Sequence, residues 1–134
     1  MPLLANDTDG AITRKRLESY VAANEGVTEV AVADADSTLT AAQLVTSKLF
    51  TATPTAARTF TTATAALIVA ALTDEVAGTS FEFTVVNKAA ATHAITLAGG
   101  TSVTVVGLAT VSATLSGTFV GVVQSDNSVK LYRK

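Results

Sequence analysis

The chain has 134 residues, a formal net charge of -2, no cysteine, and only 15% Asp, Glu, Lys and Arg. That length suits one domain with a core of its own. The missing cysteines exclude a disulfide framework and thiol chemistry, and the near-neutral balance gives no broad electrostatic footprint for nucleic acid or anionic lipid.

Residues 1–12 read as an extended arm, because Asp7-Thr8-Asp9-Gly10 is a turn signal and the apolar residues around it have no period. Residues 13–26 read as a short helix. Leu17, Tyr20 and Val21 share one face at helical spacing, Thr13 is placed to cap it and Gly26 to stop it. Together, residues 1–26 form an N-terminal unit ahead of a body over 27–134. In that body, residues 27–33 predict a strand ended by Asp34-Ala35-Asp36-Ser37. Residues 40–45 predict a helical turn capped by Thr40, and 47–53 a strand stopped by Pro54. A strand over 58–62 and a helix over 64–72 follow, the latter capped by Thr62 or Thr64 and closed by Thr73-Asp74.

From Gly78 the signal is β throughout. Phe81, Phe83 and Val85 alternate with Glu82, Thr84 and Val86, the period of a half-buried strand. Strands over 93–98, 101–106, 110–115, 118–124 and 128–133 follow. Gly99-Gly100 reads as a hairpin turn, and 107–108, 116–117 and 125–127 as further dividers. Six short strands at roughly 8–10-residue spacing predict an antiparallel sandwich or barrel, jelly-roll-like, with one or two short helices. No fixed-length internal repeat argues for a solenoid.

Residues 89–125 contain no Asp, Glu, Lys or Arg. Soluble domains carry about 25% charged residues. Thr, Ser and Ala on outward strand faces cost little to desolvate, whereas ordering a Lys or Glu costs up to about 2 kcal/mol of side-chain entropy. Interface cores are depleted in those charged residues, so the pattern predicts a subunit that packs against other subunits. No segment reaches the ~18 apolar residues of a membrane helix, and the first residues lack the pattern of a signal peptide.

Little in the sequence carries chemistry. A Ser-His-Asp triad would have to use His93, the one histidine, which has no acidic residue near it in sequence and no nucleophile elbow. Asp7-Thr8-Asp9-Gly10 lacks the later ligands of a Ca²⁺ loop, and turn chemistry accounts for Asp34 and Asp36. No phosphate-cradling glycine loop is present. The expectation is a protein without catalytic residues, cofactor or metal. The candidate partner-binding residues are Leu3 and Leu4 on the arm and the basic cluster Arg14, Lys15 and Arg16.

Several stretches carry a resemblance. They are Leu39-Thr40-Ala41-Ala42-Gln43-Leu44, Thr53-Pro54-Thr55-Ala56-Ala57-Arg58-Thr59 and Ala65-Ala66-Leu67-Ile68-Val69-Ala70-Ala71-Leu72. Val76-Ala77-Gly78-Thr79-Ser80-Phe81-Glu82-Phe83-Thr84-Val85-Val86-Asn87, Gly117-Thr118-Phe119-Val120 and Leu131-Tyr132-Arg133 continue it. The pattern, over about residues 37 to 134, resembles small structural proteins of tailed bacteriophages. It implies a virion component, a head decoration (cement) protein with a β-sandwich or barrel body. Such a protein would be made in the bacterial cytoplasm and located on the capsid surface. Its implied partners are two further copies in a homotrimer, the major capsid protein shell and neighbouring decoration subunits, with neither nucleic acid nor membrane. The alternative is a head- or tail-fibre base or knob that binds a host surface glycan. The arm and basic cluster fall outside the resemblance.

Overall fold

The computed structural model describes residues 27–72 and 77–134. The arm, the 13–26 helix, the Thr73-Asp74 stop and all five candidate partner-binding residues (Leu3, Leu4, Arg14, Lys15 and Arg16) lie outside the described residues.

The body is mainly β, in two sheets. The strands are β1 (Thr28–Ala31), β2 (Ser37–Leu39), β3 (Lys48–Ala52), β4 (Arg58–Thr62), β5 (Ser80–Asn87), β6 (Ile95–Ala98), β7 (Val103–Val106), β8 (Thr110–Val111), β9 (Ser116–Val123) and β10 (Val129–Arg133). A six-stranded sheet has the order β1-β3-β5-β9-β10-β7, and a four-stranded sheet the order β2-β4-β6-β8.

From β1 to β9 the chain changes sheet at every step. β1, β3 and β5 stack in parallel on one side, while β2, β4 and β6 stack in parallel on the other. Parallel neighbours need a long crossover, and here a strand of the opposite sheet supplies it. The first six strands therefore wind as three coils, each with one strand in each sheet. The coils differ in length, since Thr28 pairs with Lys48 but Leu49 with Thr84, and Ser37 pairs with Phe60 but Arg58 with Ile95. A solenoid-like winding with unequal coils leaves no repeat in the sequence. The antiparallel expectation holds only for the later part, where β9 pairs with β5 and β10, and β8 with β6. Alternation of apolar residues reports which face is buried and carries no information on strand direction.

Gly99-Gly100 makes no hairpin. It carries the chain from β6 in one sheet to β7 in the other, where β7 pairs in parallel with β10. The glycines are needed for close approach. A Cβ on Gly99 would stand 2.1 Å from the Val103 carbonyl oxygen, and one on Gly100 would stand 2.6 Å from that of Thr62. The 110–115 strand stops at Val111, and the predicted divider at 116–117 is already the start of β9.

One core lies between the sheets. Phe50, Phe81, Phe83, Phe119 and Leu131 enter it from the six-stranded sheet, and Leu39, Phe60, Ile95, Leu97 and Val111 from the other. Two helical pieces close it. Gln43–Ser47 is a wide turn that buries Leu44 and Val45. It is entered through a reciprocal cap, in which the Thr40 hydroxyl accepts from the Gln43 N–H and the Gln43 side-chain oxygen Oε1 accepts from the Thr40 N–H. Helix α1 (Ala65–Ala71) buries Ala65 and Ile68, with the Thr64 hydroxyl accepting from the Leu67 N–H.

Candidate interaction surfaces

Among the described residues no group of three or more His, Cys, Asp or Glu is placed to hold a metal ion, and no helix is long and apolar enough to cross a membrane. His93 lies in the loop before β6, two residues ahead of Ile95, where the strand predicted from residue 93 begins. Its backbone carbonyl accepts from the Asn87 side chain at 2.8 Å. No ion pair joins the His93 ring to a carboxylate of the described residues, and turns of small residues surround it.

The carboxylates assigned to turn chemistry do a longer-range job. Asp34 accepts from the Thr55 N–H, the Thr55 hydroxyl and the Arg58 Nε, the last at 2.8 Å. Asp36 accepts from the Thr59 N–H at 2.9 Å. Both sit between β1 and β2, and their partners lie between β3 and β4 or at the start of β4. They clamp the first coil to the second. Local pairing is the default for Asp in a turn, so only the parallel stacking of the coils reveals this role.

The Arg58 and Thr55 hydrogen bonds hold the Asp34 carboxyl well below the ordinary carboxylate range. A depressed carboxyl contributes stability above its unfolded value of about 3.9, and that contribution fades as pH falls through the lower folded value. Asp34→Asn is therefore expected to lower the thermal midpoint at pH 7 and to differ less and less from the parent as pH drops below about 4. Calorimetry across pH checks this; an equal difference at both ends would contradict it.

The outer faces of the two sheets are unlike. Register aligns Thr59, Thr96 and Thr110 in one row of the four-stranded sheet, with Thr38 beside Thr61 in the next. On the six-stranded sheet one outward row is Glu82, Val120, Tyr132 and Val106, and the next is Ser80, Val122, Lys130 and Thr104. Their in-facing neighbours, Phe81, Phe119, Gly121 and Leu131, are buried. Tyr132 and Val106 are each 40% exposed, and Leu108, just beyond β7, is 64% exposed. A Cβ on Gly121 would stand 2.3 Å from the Phe81 ring, so glycine there lets the ring lie under β9.

Concavity is slight. A shallow recess of about 300 Å³ on the six-stranded face is lined by Val27, Lys48, Glu82 and Val120, among others. A second one lies beside Ala90, Thr92 and Thr114. Lys48, Ser80, Glu82 and Thr84 supply polar groups to the first, and Thr92, Ser112 and Thr114 to the second, but both are open recesses rather than enclosed pockets. Among the described residues, the two outer sheet faces are the broad surfaces open to recognition. Comparison with protein-family models, with curated proteins and with solved structures finds no match to the chain.

Proposed function

We propose that this protein is a virion structural component, a decoration (cement) protein that binds the outside of a phage head as a homotrimer and braces the shell. The observation that carries the reading is the outer face of the six-stranded sheet, where Val106, Val120, Val122 and Tyr132 point outward. β-branched side chains have little rotamer freedom to lose, so covering such a face is favourable. The resemblance to small phage structural proteins supplies the kind of assembly.

The mechanism is linkage. A protein that binds the assembled shell better than its free subunits stabilises the shell by mass action. A trimer engages several points at once, so modest contacts combine into tight attachment. Leu3 and Leu4 on the arm and Arg14, Lys15 and Arg16 are the residues assigned to the shell and to neighbouring trimers. The test is co-sedimentation with emptied, undecorated heads. The intact chain is expected to bind, and a variant lacking residues 1–12 to stay folded and bind at least roughly tenfold more weakly, a difference of about 1.4 kcal/mol. Full occupancy by the shortened chain would contradict the role of the arm.

The threonine rows of the four-stranded sheet favour a second reading, a fibre base or knob that binds a host surface glycan. Hydroxyls in register offer paired donors and acceptors to a sugar. The chain has no Trp to stack on one. Binding of the isolated protein to host cells, and none to heads, would select this reading.

A further inference from the structure

The three parallel coils form a stack with two unlike ends. At the late end each sheet continues, since β5 pairs with β9 and β6 with β8. At the early end the first coil is the last layer. β1 is the edge of the six-stranded sheet and β2 the edge of the four-stranded sheet, and the two edges lie on the same side because both strands belong to one coil. Among the described residues no strand pairs with the outer side of either.

The core is less well covered there. Val30 stands level with Phe50, yet Phe50 is 0% exposed and Val30 is only partly buried. Val32 and Ala41 also pack against the core while only partly buried. Val27, just ahead of β1, is 60% exposed. Natural sheets guard an open edge with Lys, Pro, bulges or a covering element. β1 and β2 contain neither Lys nor Pro, and their one charged residue, Glu29, accepts from the Thr51 hydroxyl of the neighbouring strand at 2.6 Å. The remaining device is a cover, the way stacked-coil proteins close a terminal repeat.

The chain itself enters at this edge, since residues 1–26 lead directly into Val27 and β1. Residues 13–26 have helical spacing, with Leu17, Tyr20 and Val21 on one face. A helix is about 10–12 Å across, which matches the gap between two sheets packed about 10 Å apart. Those 14 residues make a helix about 21 Å long, enough to run along a four-residue strand of about 13 Å. So short a helix is marginal by itself in water, and its apolar face calls for a surface. Its tether to β1 holds it near this edge at an effective concentration of about millimolar, an advantage that a separate molecule lacks.

We propose that residues 13–26 fold back at Gly26 over the open edge of the first coil and cap the stack, with Leu17, Tyr20 and Val21 against Val30, Val32 and Ala41. Lys15 then points away from the body, with Arg14 and Arg16 at the flanks. The basic cluster stays free for a partner, and residues 1–12 project beyond the cap as the arm. The contact belongs to the body and does not depend on the phage reading.

A spin label tests it in the full chain. The chain has no cysteine, so Ser19→Cys gives one attachment point, on the side of the segment away from Leu17 and Tyr20. In labelled, isotope-enriched chain diluted with plain chain, broadening of amide NMR signals is expected to be strongest in β1 and β2 and weakest in β7 and β10. Leu17→Asp with Tyr20→Asp is expected to remove that pattern and to speed amide exchange in β1 and β2 at least roughly tenfold, leaving β9 and β10 unchanged. Broadening centred elsewhere, or a double variant without effect, overturns the cap. If the double variant unfolds, the label pattern in the chain carrying Ser19→Cys alone decides. With the label on one chain and the isotope on another, broadening of β1 and β2 seen only in that mixture would place the segment on a second copy and overturn the cap within one chain.

Discussion

Replacing Phe83 by alanine is expected to destabilise the body by about 3–5 kcal/mol, the range for a large buried aromatic replaced by a methyl group. Phe83 projects from the middle of β5 and is 1% exposed. Its ring meets Phe50 edge-on at 5.9 Å, stacks near Phe119 at 5.5 Å and lies near Phe81 at 6.2 Å. These rings come from three adjacent strands, β3, β5 and β9. The ladder contacts around Phe83 therefore join the parallel coils to the antiparallel strands that follow. Truncation leaves a cavity walled by stiff rings and held by two sheet neighbours, so little collapse can refill it. Urea unfolding gives the value directly; a loss below about 1.5 kcal/mol would mean that the site relaxes or that the ring is not central.

The second large effect is expected at Asn87, which is 1% exposed at the inner end of β5. Its amide nitrogen donates to the carbonyl oxygens of His93 at 2.8 Å and Val111 at 2.9 Å, and its oxygen accepts from the Ala89 N–H at 3.0 Å. One side chain thereby satisfies the turn after β5, the approach to β6 and the end of β8. Asn87→Ala leaves all three backbone groups without this partner, at about 1–3 kcal/mol for each one that stays buried and unsatisfied. A total of about 3 kcal/mol or more follows, measured by urea unfolding as for Phe83. Asn87→Asp makes a sharper case. An ionised carboxylate would face two carbonyl oxygens in a buried site, so it titrates above the ordinary range and costs stability as pH rises. This variant is expected to recover stability on acidification, opposite in sign to the loss of the Asp34 clamp. A flat pH response in Asn87→Asp would contradict the donor assignment.

Asn87 was within reach of sequence reasoning. Phe81, Phe83 and Val85 declare the buried parity of β5, and Asn87 is the next residue on that parity. A polar residue at a core position signals a built hydrogen-bond site, although Asn is also common in turns. The same parity along β9 puts Gly117 and Gly121 on the buried side, where the lack of a side chain makes room for Arg133 and Val111 and for Phe81. Most strand positions, the Thr40 cap and the Thr64 cap were legible because each depends on residues close in sequence, whereas the three-residue β2 (Ser37–Leu39) was not predicted. Strand direction and the pairing of Asp34 with Arg58 were not. They depend on how one coil stacks on another, and coils of unequal length leave no periodic trace. The candidate surface divides the same way. The lack of charge over 89–125 was visible at once, while the outward row of Glu82, Val120, Tyr132 and Val106 brings together four strands whose order only the fold supplies.

The central claim is that these faces are used to cover a phage shell with copies of this chain. Imaging of emptied heads after incubation with the purified protein tests it most directly. The account predicts added density on the outer surface, in three-fold units at fixed positions of the lattice. Bare heads at saturating protein, or density confined to a tail or fibre, would contradict it.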